Sequence, residues 1–104
     1  MKTILSFFLL FALASCATQY ATSSATHQGD SKENAVVFEN VTNGLVGVQL
    51  EYEWIADNFP DYEVQHQSID DKDGRVFDLI SIVNSKGQKK LIYFDVTEWY
   101  GRLK

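Results

Sequence analysis

The sequence predicts an α+β domain in which one helix packs on a four-stranded, mainly antiparallel sheet, in the order β-α-β-β-β. Three observations predict it. One stretch carries apolar residues at helical spacing, a short β-branched run precedes that stretch, and three β-rich runs follow it, separated by two turn-forming clusters. Strands joined by short turns pair antiparallel, so the helix is left to cover one face of their sheet.

The first strand is predicted over residues 35–41 and stops at the turn-prone sequence Thr-Asn-Gly. In the helix that follows, steps of three and four residues join the apolar positions Leu45, Val48, Tyr52, Ile55 and Phe59. This spacing predicts one buried stripe.

The ends of the helix are marked by an amide and a proline. Asn43 is expected to cap the N-terminus, and Pro60 ends the helix at or before residue 59. Glu51, Glu53 and Asp57 fall on other faces, which predicts that they are exposed to solvent.

Three strands are predicted over residues 62–68, 75–83 and 88–96, with turns at 70–74 and 84–87. The acidic turn 70–74 does not fit a calcium-binding EF-hand loop. With Gly74 at the sixth position, the first and twelfth ligands would be Ile69 and Ile80, which offer no carboxylate. A solvated hairpin turn is the expectation.

The last two strands carry apolar residues on both faces, although one helix covers only one face. We expect residues 97–104, with Trp99 and Tyr100, to fold over the second face. The alternative is that this surface binds a protein partner, a second copy or a lipid. The candidate partner-binding residues are Trp99, Tyr100, Tyr93 and Phe77.

Asp78 and Asp95 lie within these strands, where aspartate is disfavoured. If Asn84 pairs with Gly87, the two carboxylates are diagonal neighbours on one face and could share a proton or bind a cation. If Gly87 forms a bulge, so that Asn84 pairs with Gln88, they point to opposite faces. The simpler expectation is that each one hydrogen-bonds the backbone or Arg75.

Catalytic and cofactor signals are sparse in this chain. It contains no Gly-x-Ser-x-Gly, no phosphate-binding glycine loop and no His-Glu-x-x-His motif. His66 is the one histidine of the predicted domain, which leaves no histidine-rich metal site. We therefore assign no catalytic residue, no metal and no cofactor. The formal net charge of −5 argues against nucleic acid as a partner.

The first sixteen residues have the features of an export signal. Lys2 precedes an apolar run over residues 4–14, which is shorter than the roughly 20 residues that span a membrane. The run ends in Leu13, Ala14, Ser15 and Cys16, a sequence that resembles the lipobox of bacterial lipoproteins.

The resemblance implies cleavage before Cys16 and acylation of its thiol, which would anchor the chain in a lipid bilayer. Cys16 is also the single cysteine, so no internal disulfide competes for it. In this family an alanine at position 17 implies the outer membrane, facing the periplasm, where the host is Gram-negative.

The predicted organisation is a signal peptide over 1–15, the acylated cysteine and a flexible Ala/Thr/Ser-rich tether over 16–34, and one small domain over 35–104. Two kinds of function fit it. The first is an envelope lipoprotein that binds a protein partner, or a second copy of itself, without catalysis. The second is a small ligand-binding module or hydrolase that uses Asp78, Asp95 and His66.

Overall fold

The computed structural model describes residues 25–103. The predicted signal peptide, Cys16 and the first part of the predicted tether lie outside the described residues. The elements are β1 (Ala25–Thr26), β2 (Val37–Phe38), α1 (Gly44–Asn58), β3 (Tyr62–Lys72), β4 (Arg75–Asn84) and β5 (Lys89–Asp95). Within residues 25–103, no helix is long and apolar enough to cross a membrane.

Strands β3, β4 and β5 form an antiparallel sheet in that order. The β3–β4 turn places Asp73 and Gly74 at positive φ angles of 59° and 79°, as a two-residue type I′ hairpin requires. Ten residue pairs follow along this hairpin, with a register shift between Val64 and His66. The predicted solvated turn at 70–74 is confirmed, because residues 71–74 are all exposed.

The predicted α+β class is confirmed with one helix and a three-stranded antiparallel sheet, whereas the first strand does not join that sheet as a full fourth strand. Val36 makes a single parallel bridge to Phe94, with its N–H donating to the Tyr93 carbonyl at 2.9 Å. The next two residues, β2, pair with β1 instead. A positive φ of 65° at Asn40 then turns the chain toward α1.

Local signals set the ends of α1 as predicted. The Asn43 side-chain oxygen accepts hydrogen bonds from the backbone N–H groups of Leu45 at 2.8 Å and Val46 at 3.3 Å. The helix ends at Asn58, two residues before Pro60.

The predicted buried stripe of α1 is wrong in all but Ile55 and the half-buried Phe59. Leu45 is 71% exposed, and Val48 and Tyr52 are exposed as well. The buried positions are Gly47, Leu50, Glu51 and Ile55. The helix therefore has a second buried face, which is not the predicted stripe. This face is turned toward the sheet, and it includes a glycine and an acid.

The two faces of the sheet differ in their covering. The helix-side face carries the buried side chains of Ile80, Ile82, Ile92 and Phe94. The outer face alternates with it. Its apolar side chains are Phe77, Leu79 and Val83 of β4 with Leu91 and Tyr93 of β5, whereas β3 contributes polar residues to it, among them His66, Ser68 and Asp70.

The C-terminal segment does not cover the outer face as expected. Trp99 belongs to the core on the helix side, where its ring lies against Gly47. The backbone of Arg102 accepts a hydrogen bond from Gly44 N–H, which ties the segment to the start of α1. The segment closes over the helix because Gly47 has no side chain to keep the indole away.

Candidate functional site

The strand register decides the relation between Asp78 and Asp95. Asp78 pairs with Phe94, and Phe77 pairs with Asp95, so the two carboxylates point to opposite faces. This register follows from the loop, in which Asn84 N–H donates to the Gln88 carbonyl and Gly87 has a φ of 81°. The second of the two predicted arrangements is therefore confirmed.

Asp95 forms a bracing cluster at the end of β5. Its carboxylate makes an ion pair with Arg75 and accepts the Thr97 hydroxyl at 2.6 Å and the Thr97 N–H at 3.1 Å. Burial opposes ionisation of this carboxyl, but the hydrogen bonds from Thr97 and Arg75 outweigh it and lower the pKa of Asp95. The predicted role as a hydrogen-bonding partner of Arg75 is confirmed.

His66 does not approach either aspartate. It is exposed on β3 and pairs with Ser81, whose hydroxyl donates to the His66 carbonyl at 3.3 Å. That position lies on the outer face, opposite to Asp78. Along β4 it is four residues from the Phe77–Asp95 pair, a separation of about 13 Å at 3.3 Å per residue.

A different carboxyl pair occupies the interior. Glu51 of α1 is 0% exposed and Asp78 of β4 is 2% exposed, and they are the only buried charged residues of the described chain. The expectation that Glu51 lies on the solvated side of α1 is wrong. The acid occupies the same helix face as Gly47, one turn further on, and that face is turned toward the sheet.

Asp78 is tied to the surface by two hydrogen bonds. The side-chain amide of Gln67, on β3, donates to an Asp78 oxygen at 2.7 Å. The Tyr52 hydroxyl, on α1, donates to the Gln67 carbonyl oxygen at 2.8 Å. This chain of contacts runs from the solvent-exposed Tyr52 to the buried acid and links α1, β3 and β4.

The burial of Glu51 has a large electrostatic consequence. Loss of hydration, followed by the neighbouring Asp78 carboxyl, raises the pKa of Glu51 to about 10. Neither oxygen of Glu51 has a hydrogen-bond partner of acceptable geometry, and the second oxygen of Asp78 has none either. Two carboxylates are acceptors only, so they bond to each other only when one carries a proton.

The pair lacks the additional ligands of a metal centre. No group of three His, Cys, Asp or Glu side chains in residues 25–103 is arranged to hold a metal ion. What the pair can do chemically is hold a proton between the helix and the sheet.

A cleft lies elsewhere in the molecule. It has a volume of about 710 Å³ and lies between the N-terminal segment, the end of α1 and β5. Trp54, Phe59 and Lys90 line it, and none of Glu51, Asp78 or Asp95 does. The cleft and the candidate acidic residues therefore do not form one site.

The four candidate partner-binding residues are separated by the fold. Phe77 and Tyr93 share the outer face, where Phe77 is 8% exposed and Tyr93 is half-buried. The cationic groups of Lys32 and Arg75 lie over the Phe77 ring, 5.4 and 5.2 Å from its centre. Trp99 is buried on the helix side, whereas Tyr100 is 48% exposed.

These features define a small α+β domain with a buried carboxyl pair between its helix and its sheet. No family model, curated protein or solved structure matches the chain.

Proposed function

We propose that this chain is the precursor of an envelope lipoprotein, anchored through acylated Cys16, whose domain binds a protein partner without catalysis. The outer face of the sheet is the proposed binding surface. The observation that carries this proposal is the apolar strip that β4 and β5 place on that face. Within residues 25–103, no helix covers this strip.

The apolar side chains of the outer face differ in their exposure to solvent. Phe77 is nearly buried, Leu79, Val83 and Tyr93 are half-buried, and Leu91 is 41% exposed. A partner that covers Leu91 and its neighbours would remove further apolar surface from water, at about 25 cal/mol per Å². The free energy of binding would come mainly from this burial.

The separation of the polar candidates supports binding over catalysis. A hydrolytic site needs its acid, base and nucleophile within hydrogen-bond reach. Asp78 and Asp95 are on opposite faces. His66 is on β3 and Asp95 is on β5, so β4 lies between them, and they are also offset by four residues along it, or roughly 13 Å. The proposed hydrolytic alternative therefore has no shared pocket in which these three residues meet.

Acylation is tested by moving the cysteine. Expressed in a bacterium with a labelled fatty acid, the full chain should carry the label and sediment with membranes, whereas Cys16→Ser should do neither. A matched control combines Cys16→Ser with Ser23→Cys, which restores a thiol outside the lipobox and should not restore the label. Labelling of the control, or of Cys16→Ser, would contradict acylation at Cys16.

Partner binding is tested by placing a photo-crosslinking amino acid at Leu91 in the full chain in intact cells. A discrete adduct is expected there, and none from the same amino acid at Asp57, which is exposed on α1. Leu79→Lys, which places a charge on the same face, should abolish the adduct from position 91. Equal adducts from both positions, or none from position 91, would overturn the outer face as the binding surface.

A further inference from the structure

We propose that Glu51 and Asp78 hold one proton between them, and that loss of this proton at alkaline pH loosens α1 from the sheet. The protonated pair would keep the helix packed on the sheet, and its deprotonation would weaken that packing. This inference concerns the helix side of the sheet and is independent of the binding surface on the outer face.

The buried pair would be costly to keep fully ionised. Both side chains are removed from solvent, and three of their four oxygens have no hydrogen-bond partner. An unpaired carboxylate in such a place is strongly disfavoured, and two adjacent ones repel each other as well. A single shared proton removes one charge and supplies the missing donor.

Neither ion pair of the described residues brings a cation to the carboxyl pair. The ion pairs found among residues 25–103 are Lys32–Asp70 and Arg75–Asp95, and neither uses Glu51 or Asp78. The residues paired with Asp78 in the sheet are Ile69 and Phe94, both uncharged.

The remaining groups that approach the pair are also neutral. The Gln67 amide on β3 contacts Asp78, and the Tyr52 hydroxyl on α1 lies beyond it. The Trp99 ring of the C-terminal segment packs against Gly47, one helical turn before Glu51. Their dipoles stabilise one carboxylate, because the Gln67 amide donates to Asp78 alone. The second negative charge, on Glu51, has no such support.

The proton held by the pair makes the domain less stable as the pH rises. The raised pKa of Glu51 means that the folded protein holds a proton that the unfolded chain releases near the ordinary value of 4.5. Stability is therefore fully present below that pH and falls as the pH rises toward 10. One retained proton changes the unfolding equilibrium constant by about tenfold per pH unit in this window.

The contacts around the pair indicate what would loosen. Asp78 is the inner end of the Tyr52–Gln67–Asp78 chain that joins α1 to β3, so repulsion at the pair acts at the helix–sheet boundary. Helix α1 also carries Gly47, against which Trp99 is buried. We expect the middle of α1 and the Trp99 contact to open before the β3–β4–β5 ladder.

The experiment uses the full-length chain in a mild non-ionic detergent. Unfolding by urea is followed by tryptophan fluorescence between pH 5 and 9, and infrared spectroscopy detects a protonated carboxyl at pH 7. The unfolding constant of the wild type should rise about tenfold per pH unit, and the protonated-carboxyl band should be present at pH 7.

Glu51→Gln keeps the shape of the side chain and makes it permanently neutral. It should remove both the infrared band and the pH slope. Glu53→Gln, which makes the same change at an exposed position of α1, should keep both. If Glu51→Gln does not fold, the infrared band of the wild type still decides whether a proton is held.

Absence of the band from the wild type at pH 7 would overturn the proposal. An unfolding constant that does not rise with pH, or a slope that persists in Glu51→Gln, would do so as well. Hydrogen exchange of backbone amides, corrected for the intrinsic effect of pH, should show faster exchange in α1 than in β4 as the pH rises. Equal acceleration of both elements would contradict loosening of the helix.

Discussion

The ring of Trp99 lies so close to the backbone of Gly47 that a β-carbon at residue 47 would come within 2.4 Å of two of its atoms. The helix and the C-terminal segment therefore meet without an intervening side chain. Trp99 is 2% exposed, and this contact gives it its place in the core.

Replacing Gly47 by alanine should destabilise the domain. Alanine favours a helix by about 1 kcal/mol over glycine, but overpacking of a filled core costs about 1–3 kcal/mol and here displaces a buried indole. We expect a lower urea midpoint for Gly47→Ala. Addition of Trp99→Leu should make the cost of the alanine smaller than in the wild type, and a fully additive pair would contradict a direct clash.

Thr97 connects β4 to the end of β5 through one hydroxyl. Its oxygen accepts the Val76 N–H at 3.0 Å while the hydroxyl donates to Asp95. Thr97→Val keeps the side-chain shape but leaves that N–H unpaired, which should cost about 1–3 kcal/mol in the free energy of unfolding. Thr42→Val, at an exposed position, should cost much less in the same urea titration.

Asp95 should contribute to stability in a pH window opposite to that of Glu51. Its pKa is lowered in the folded protein, so its contribution is present above the ordinary value of 3.8 and is lost as the pH falls through the lower folded-state value. The partly exposed Arg75 contact contributes less than about 1 kcal/mol.

Asp95→Asn should therefore lower the urea midpoint at pH 7 and flatten its decline below pH 4 relative to the wild type. Asp57→Asn, which removes an exposed carboxylate from α1, is the control and should leave the decline in place. An unchanged acid decline in Asp95→Asn would show that the Arg75–Thr97 cluster does not stabilise the fold.

The contribution of the Asn43 helix cap to the free energy of unfolding should be measurable with two substitutions. Asn43→Ala removes the acceptor for Leu45 and Val46 N–H and should cost about 1 kcal/mol. Asn43→Asp keeps an acceptor at the same place and should retain most of the stability. Circular dichroism during urea unfolding measures both, and an equal loss in the two variants would contradict a capping role.

The parts of the fold that sequence analysis predicted correctly depend on local signals. Asn43 and Pro60 bound α1 because a cap and a ring clash act within a few residues. The Asp73–Gly74 turn likewise follows from the backbone angles those residues tolerate. The register of β4 and β5 remained open between two alternatives, because it depends on whether Gly87 forms a bulge.

The interior of the site was not predictable in the same way. Leu45, Val48 and Tyr52 have the spacing of a buried face, and only the position of Trp99 against Gly47 reveals that the helix is rotated away from it. Glu51 falls outside the predicted stripe, so the pattern predicts that it is exposed, in line with the rarity of unpaired buried acids. A signal existed in the Val46, Leu50 and Trp54 stripe, beside which Glu51 falls.

The segment between β1 and β2 is fastened to the backbone of strand β5. The Gly29 carbonyl accepts the Tyr93 N–H at 2.8 Å, and Val36 bonds on both sides to the backbone of Tyr93 and Asp95. Tension applied to the chain ahead of residue 25 would reach the short β1–β2 pairing and then these few bonds before it reached the β3–β4 hairpin. A domain pulled from its N-terminal side would thus lose the β1–β2 pairing and peel from β5 while the β3–β4–β5 hairpins are still intact.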